Sequence, residues 1–182
     1  MHANAVDPSK LRRFAGDVYA TAGMPRDDAA LVADSLVQAD LWGHQSHGVL
    51  RLDWYRARVR SGSMQAVTHA QLIVDSGAVA VIDGRDGVGQ VLAHRAMREA
   101  ISRAKRHGVG AVGVRNSNHF GTAMYYTRIA ASEGCVGFLS TNASPSMAPW
   151  GGREKVVGNS SKKGASASNQ TVPTDNHLSA WG

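Results

Sequence analysis

Residues 89–142, "GQVLAHRAMREAISRAKRHGVGAVGVRNSNHFGTAMYYTRIAASEGCVGFLSTN", alternate between two periods. Val91, Ala96, Ile101 and Ala104 recur near the helical repeat, basic residues gather late and Gly108 follows, which predicts a helix with a glycine stop. "VGAVGVRNS" is short and apolar and predicts a buried strand. "TAMYYTRIAASEG" then predicts a second helix closed by Gly134, and "CVGFLSTN" a second apolar strand. Helix, strand, helix, strand is the order of an α/β layer with parallel pairing.

Upstream, "AQLIVDS" and "AVAVIDG" predict short strands joined by a turn at Ser76-Gly77, as a hairpin or as successive strands. Before them the pattern is helical. "DPSKLRRFAGDVYATAG" puts Leu11, Phe14, Ala15, Val18 and Tyr19 at helical spacing between Pro8 and Gly23. "RDDAALVADSLVQADL" carries acids in its first turn and apolar residues at Leu31, Leu36, Val37 and Leu41. The expected fold class is therefore α/β. A helical N-terminal region (1–70) packs with a mixed α/β region (71–159), and "SSKKGASASNQTVPTDNHLSAWG" (160–182), polar and without period, is expected to be a disordered tail.

With 43% hydrophobic residues over 182 positions, the chain can bury a sizeable core. No apolar run approaches the length of a membrane span and the N-terminus lacks a signal peptide's apolar core, so a cytoplasmic protein with no membrane partner is expected. Cys135 is the lone cysteine, so no disulfide framework is possible, and its apolar surroundings suggest an inert thiol. The net charge is +6 and the pI about 9.9. The basic residues are nevertheless spread over helices, with "RARVR" and "SRAKRH" the densest clusters, and read as solvated faces. No nucleic-acid partner is expected; an anionic small substrate accounts for the charge.

Three motifs carry candidate chemistry. In "VIDGRDGVGQVLAHRAM" a strand runs through a glycine-rich turn into a helix, but Leu92 stands where a dinucleotide fingerprint needs its third glycine. The expected architecture is non-Rossmann, with a tight turn starting a helix. In "GHQSHGVLRLDWYRARVRSG", His44 and His47 lack a completing Cys, Asp or Glu, so no metal site is expected. Taking Ser46 as an N-cap puts His47, Arg51 and Tyr55 at i, i+4 and i+8 on one helical face. That face holds a proton donor, a cation able to fork onto a carboxylate and a phenol. The helix's positive end would hold the His47 pKa near or below neutrality. In "RNSNHFGTAMYY", Asn116, Ser117, Asn118 and His119 end a strand just before a helix, where α/β sheets keep ligands.

The motifs "SHGVLRLDWY", "IDGRDGVGQ", "RNSNHFG" and "STNASPSMAPWGG", in this order and with the helices between them, resemble the type-2 malate/L-lactate dehydrogenase family, and the resemblance runs from about Leu11 to Asn159. The resemblance implies a dimeric oxidoreductase that moves hydride between NAD or NADP and a small anionic 2-hydroxy or 2-oxo acid. By matching position it implies catalytic roles for Ser46, His47, Arg51, Tyr55 and His119, and a place beside the cofactor for Asn142 and Ala143. Either His47 or His119 would exchange the proton, and Arg51 would grip the substrate carboxylate. From Ser160 the pattern departs from the family's, which suggests a truncated or frameshifted copy with an incomplete nicotinamide grip. The alternative is a non-catalytic remnant serving as a dimerisation or binding module.

Overall fold

The computed structural model describes residues 6–143, 145–158 and 162–165. It begins with a helical layer. Helix α1 (Pro8–Thr21) starts where Asp7 Oδ1 accepts from the Ser9 and Lys10 amides at 2.7 and 3.2 Å, with Pro8 supplying a helical φ at the first position. Helix α2 (Arg26–Leu41) carries Asp27 and Asp28 in its first turn, against the positive end of the dipole. It stops at Trp42, and Gly43 takes the left-handed φ of 75° that turns the chain away. Two 3₁₀ turns, Gln45–His47 and Val49–Arg51, lead into helix α3 (Leu52–Arg60).

Strands β1 (Gln71–Ser76) and β2 (Val79–Gly87) form the antiparallel hairpin around Gly77, with Ser76 opposite Val79. Helix α4 (Gly89–His107) then crosses over, and β3 (Ala111–Ser117) pairs parallel to β2, which becomes the central strand of a three-stranded sheet. The helix stops at Gly108, whose left-handed φ of 80° lets its amide reach the Ala104 carbonyl at 2.8 Å. Helix α5 (Ala123–Ser132) and β4 (Gly137–Ser140) follow, then short strands β5 (Pro145–Met147), β6 (Val157–Gly158) and β7 (Lys162–Ala165).

Val91, Leu92, Ala96, Met97 and Ile101 form the buried stripe of α4, and this stripe joins two cores. One gathers Tyr19, Val32, Leu36, Tyr55, Met64, Val88 and Val91 between the N-terminal helices and the start of α4. The other gathers Met97, Ile101, Tyr126 and Ala130 between α4 and α5. Burying each of these large side chains contributes roughly 1.5–3 kcal/mol. The half-buried Cys135 packs against the second core.

One expected pairing does not form. β4 does not extend the parallel sheet but pairs antiparallel with β7, Gly137 opposite Ala165. The cause is visible at Gly137, where a Cβ would lie 2.7 Å from Ala130 Cβ and 2.8 Å from the Thr127 carbonyl. That close seat pins β4 under α5 instead of beside β3. Lys162–Ala165, within the segment expected to be a tail, forms β7; residues 159–161 and 166–182 lie outside the described residues. Among the described residues, no helix is long and apolar enough to cross a membrane.

Candidate active site

The first half of the site is set by a carboxylate rather than by the expected helix. Ser46 does not cap α3: it sits inside the first 3₁₀ turn, and Gly48 is extended, with φ −88° and ψ −155°, which breaks the row His47, Arg51, Tyr55 into three short segments. Asp40, near the end of α2, accepts from the Val49 amide at 2.9 Å and so caps the second turn. A Cβ on Gly48 would lie 1.8 Å from Asp40 Oδ1, so only glycine admits the carboxylate. Asp40→Ala is expected to lower stability by about 1–2 kcal/mol, the usual loss for a removed cap, measured by urea unfolding.

The broken row still converges. Tyr55 is buried on α3, and its hydroxyl lies 2.6 Å from His119 Nδ1, across 64 positions of sequence. The Gly121 N–H, which can only donate, reaches the same nitrogen at 3.3 Å, so Nδ1 is the acceptor and the neutral ring carries its proton on Nε2. The His47 ring stacks on His119 at 5.4 Å, and Trp54 meets His119 edge-on at 5.7 Å and 90°. Ser46 Oγ lies 2.9 Å from His47 Nδ1. The His44 ring lies 4.1 Å from that of His47, tilted by 30°, and so adjoins the cluster.

Two arginines flank these rings. Arg51 Nε donates to the Ser46 carbonyl at 2.8 Å, which aims the guanidinium past the first turn, with its carbon 5.6 Å from the Trp54 ring. Arg58 lies over the same indole at 5.1 Å. Among the described residues, neither forms a salt bridge. Burial, with neighbouring charges second, lowers both imidazole pKa values. For His119 the packed rings come first, then the charges of His47, Arg51 and Arg58, and together they hold it at about 4. His47 is lowered by its burial, then by His44 and Arg51; desolvation rather than a helix dipole is the leading cause. Burial raises the Tyr55 phenol, which therefore stays protonated.

His119 is held from behind by α4. A Cβ on Gly89 would lie 2.2 Å from the Asn118 carbonyl and 2.3 Å from that of His119. The glycine-rich turn is thus filled by the protein's own chain. Gly84 faces Leu92 Cδ1 at 2.5 Å and Gly87 faces Thr68 Cγ2 at 2.8 Å from their Cβ positions, leaving no cradle for a diphosphate. Asn142 and Ala143 follow β4 and are exposed. Among the described residues, no hydrogen bond or ring contact joins them to His119. No three His, Cys, Asp or Glu side chains of the described residues gather as a metal-binding group.

Sequence reasoning passed over Arg58, which it placed among solvated basic residues of "RARVR", and did not single out Trp54 as a site residue. Arg58 follows Trp54 at i+4 and Tyr55 at i+3 on one short helix, and that spacing was the available signal. Trp54 is 39% exposed and walls the site.

On this α/β frame a neutral imidazole meets two guanidinium groups that have no salt-bridge partner among the described residues. The chain belongs to the malate/L-lactate dehydrogenase family, whose profile matches residues 6–173, past Ser160, where the sequence was expected to depart from the family's pattern. It is 44% identical over 153 residues to a malate dehydrogenase of Pyrococcus horikoshii, covering 84% of this chain and 42% of that one. Against an L-sulfolactate dehydrogenase of Methanocaldococcus jannaschii it is 42% identical over 151 residues, 83% of this chain and 44% of that one. The solved structure of malate dehydrogenase from Pyrococcus horikoshii superposes with a TM-score of 0.86 at 42% identity, over 88% of this chain and 46% of that one. The chain thus spans less than half the length of these relatives.

Proposed function

We propose that this chain carries the substrate side of an NAD- or NADP-dependent dehydrogenase acting on a small 2-hydroxy or 2-oxo acid. The supporting observation is the neutral His119 ring, its Nδ1 tied to Tyr55, near enough to Arg51 and Arg58 for both charges to lower its pKa, the two arginines lacking a carboxylate partner among the described residues. The substrate carboxylate lies on Arg51, whose fork matches it. That negative charge offsets the cations and brings the His119 pKa back toward neutrality. Once the bound acid lets the ring take up a second proton, the imidazolium gives a proton to the substrate's carbonyl oxygen in reduction and returns to the neutral ring, which takes that proton back in oxidation. His47, stacked behind it and held by Ser46, is the second candidate for that exchange. Tyr55 keeps the His119 ring in one orientation.

The described residues do not by themselves make a dinucleotide site. The filled glycine turn offers no cradle, and Asn142 and Ala143 are the two positions that the resemblance places beside the cofactor. This observation favours the alternative reading, an acid-binding or dimerisation module without turnover. The wider picture, a cytoplasmic homodimer with regions 1–70 and 71–159, belongs to the same proposal.

Titrating the chain with NADH and NADPH while following nicotinamide fluorescence, then adding a 2-oxo acid and following cofactor oxidation, separates the readings. Binding with acid-dependent oxidation supports the dehydrogenase; no binding at millimolar cofactor sinks it. Arg51→Gln is expected to weaken the acid's apparent affinity about 10- to 100-fold, the loss of a charge-assisted pair worth about 1.5–3 kcal/mol, with cofactor affinity unchanged.

A further inference from the structure

We propose that Arg58 is a positioning residue for His119: through Asn118 its guanidinium ties the turn carrying the imidazole to α3, the helix that supplies Tyr55 and Trp54. The inference rests on the dehydrogenase reading for its purpose, but not for its test. Arg58 Nη2 donates to Asn118 Oδ1 at 2.6 Å and to the Ser63 carbonyl at 3.5 Å. Asn118 Nδ2 in turn donates to the Asp86 and Gly87 carbonyls at 2.8 and 3.2 Å. The amide therefore uses its donors on the end of β2 and its acceptor on α3, linking the two walls of the site through the residue beside His119. Gly89 closes the third side, because the Asn118–His119 backbone lies where its side chain would be.

Arg58 also lies on the face of Trp54, the ring whose edge borders His119. One planar cation thus holds both the turn and the wall. Lysine would retain the charge without the fork or the flat stacking surface. Its Nε is buried without a hydrogen-bond partner, and no carboxylate of the described residues pairs with it, so ion pairing does not explain its place. The titratable and charged groups facing His119 are His47 from the first 3₁₀ turn, Arg51 from the second, and Tyr55 and Arg58 from α3.

Imidazole nitrogen NMR on the labelled 182-residue chain tests this without cofactor or substrate. In the wild type, His119 is expected to show one tautomer, Nε2 protonated and Nδ1 accepting. In Arg58→Met the two nitrogen shifts are expected to converge as the ring loses its fixed orientation, and the titration midpoint to rise by roughly half a pH unit or more. Arg58→Lys should show the same convergence with the midpoint near wild type, which a purely electrostatic role would not produce. Asn118→Leu, which leaves the guanidinium in place, should match Arg58→Lys. A single retained tautomer in folded Arg58→Met overturns the proposal. If that variant does not fold, retention in both Arg58→Lys and Asn118→Leu overturns it. A failure to reduce any 2-oxo acid bears on the dehydrogenase reading alone and leaves these shifts as the measure of Arg58.

Discussion

Gly89→Ala is expected to cost about 3 kcal/mol or more in urea unfolding, far beyond the roughly 1 kcal/mol by which helix propensity alone would favour alanine. The added methyl would enter within 2.3 Å of two backbone carbonyls, those of Asn118 and His119. Backbone cannot rotate out of the way as a side chain can, so either α4 shifts off its seat or the loop carrying His119 lifts. The shift would be felt in the core, because Val88 and Val91 on either side of Gly89 are buried against the N-terminal helices. Gly43→Ala is the matched control: it also carries a conformational penalty, at φ 75°, but a methyl there meets nothing within 4 Å. Its expected cost is about 1 kcal/mol. Equal losses at the two positions would show that the close approach at Gly89 is not what holds the loop.

His119→Asn is expected to reduce turnover with a 2-oxo acid by about 10²- to 10⁴-fold, the range for a lost general acid/base group, measured as the rate of reduced nicotinamide consumption at saturating acid. It should also change the acid limb of stability. The folded ring protonates near pH 4 rather than its ordinary 6.5, so between those values the unfolded chain binds the extra proton. The neutral ring's contribution is complete above about pH 6.5 and is lost progressively as pH falls toward 4. Because the ring keeps an exposed edge, solvent screening trims this to roughly 1–2 kcal/mol. The variant should therefore lose stability less steeply than wild type across that window, as read from urea midpoints at successive pH values. Parallel slopes would show that the ring is not held neutral.

The elements of the fold were written in local patterns. Hydrophobic period, Gly108, and the acids of α2 identified helices and strands because each depends on neighbours in sequence. The pairing of β4 was not legible, since it depends on the absence of a Cβ at Gly137 against α5 and on a partner strand that arrives at residue 162. In the site, the residue types at His47, Arg51, Tyr55 and His119 pointed to proton exchange with an anion, and three of these four share one ring cluster with Trp54. The expected single helix was wrong in geometry because the capping group is Asp40, supplied by the preceding helix rather than by Ser46. Arg58 escaped notice for a related reason: a basic residue in a basic run looks solvated until the loop that covers it, here Asn118, is folded back across 60 positions.

The hydrogen bond between Tyr55 and His119 joins the helical segment to the strand-bearing segment, so an acid held between Arg51 and His119 would touch both. Such a ligand acts as a removable clasp. Its binding energy adds to the cohesion of the whole chain, by about 2.7 kcal/mol at a hundredfold excess over its dissociation constant, and a simple melting curve can rank candidate acids before any of them is turned over.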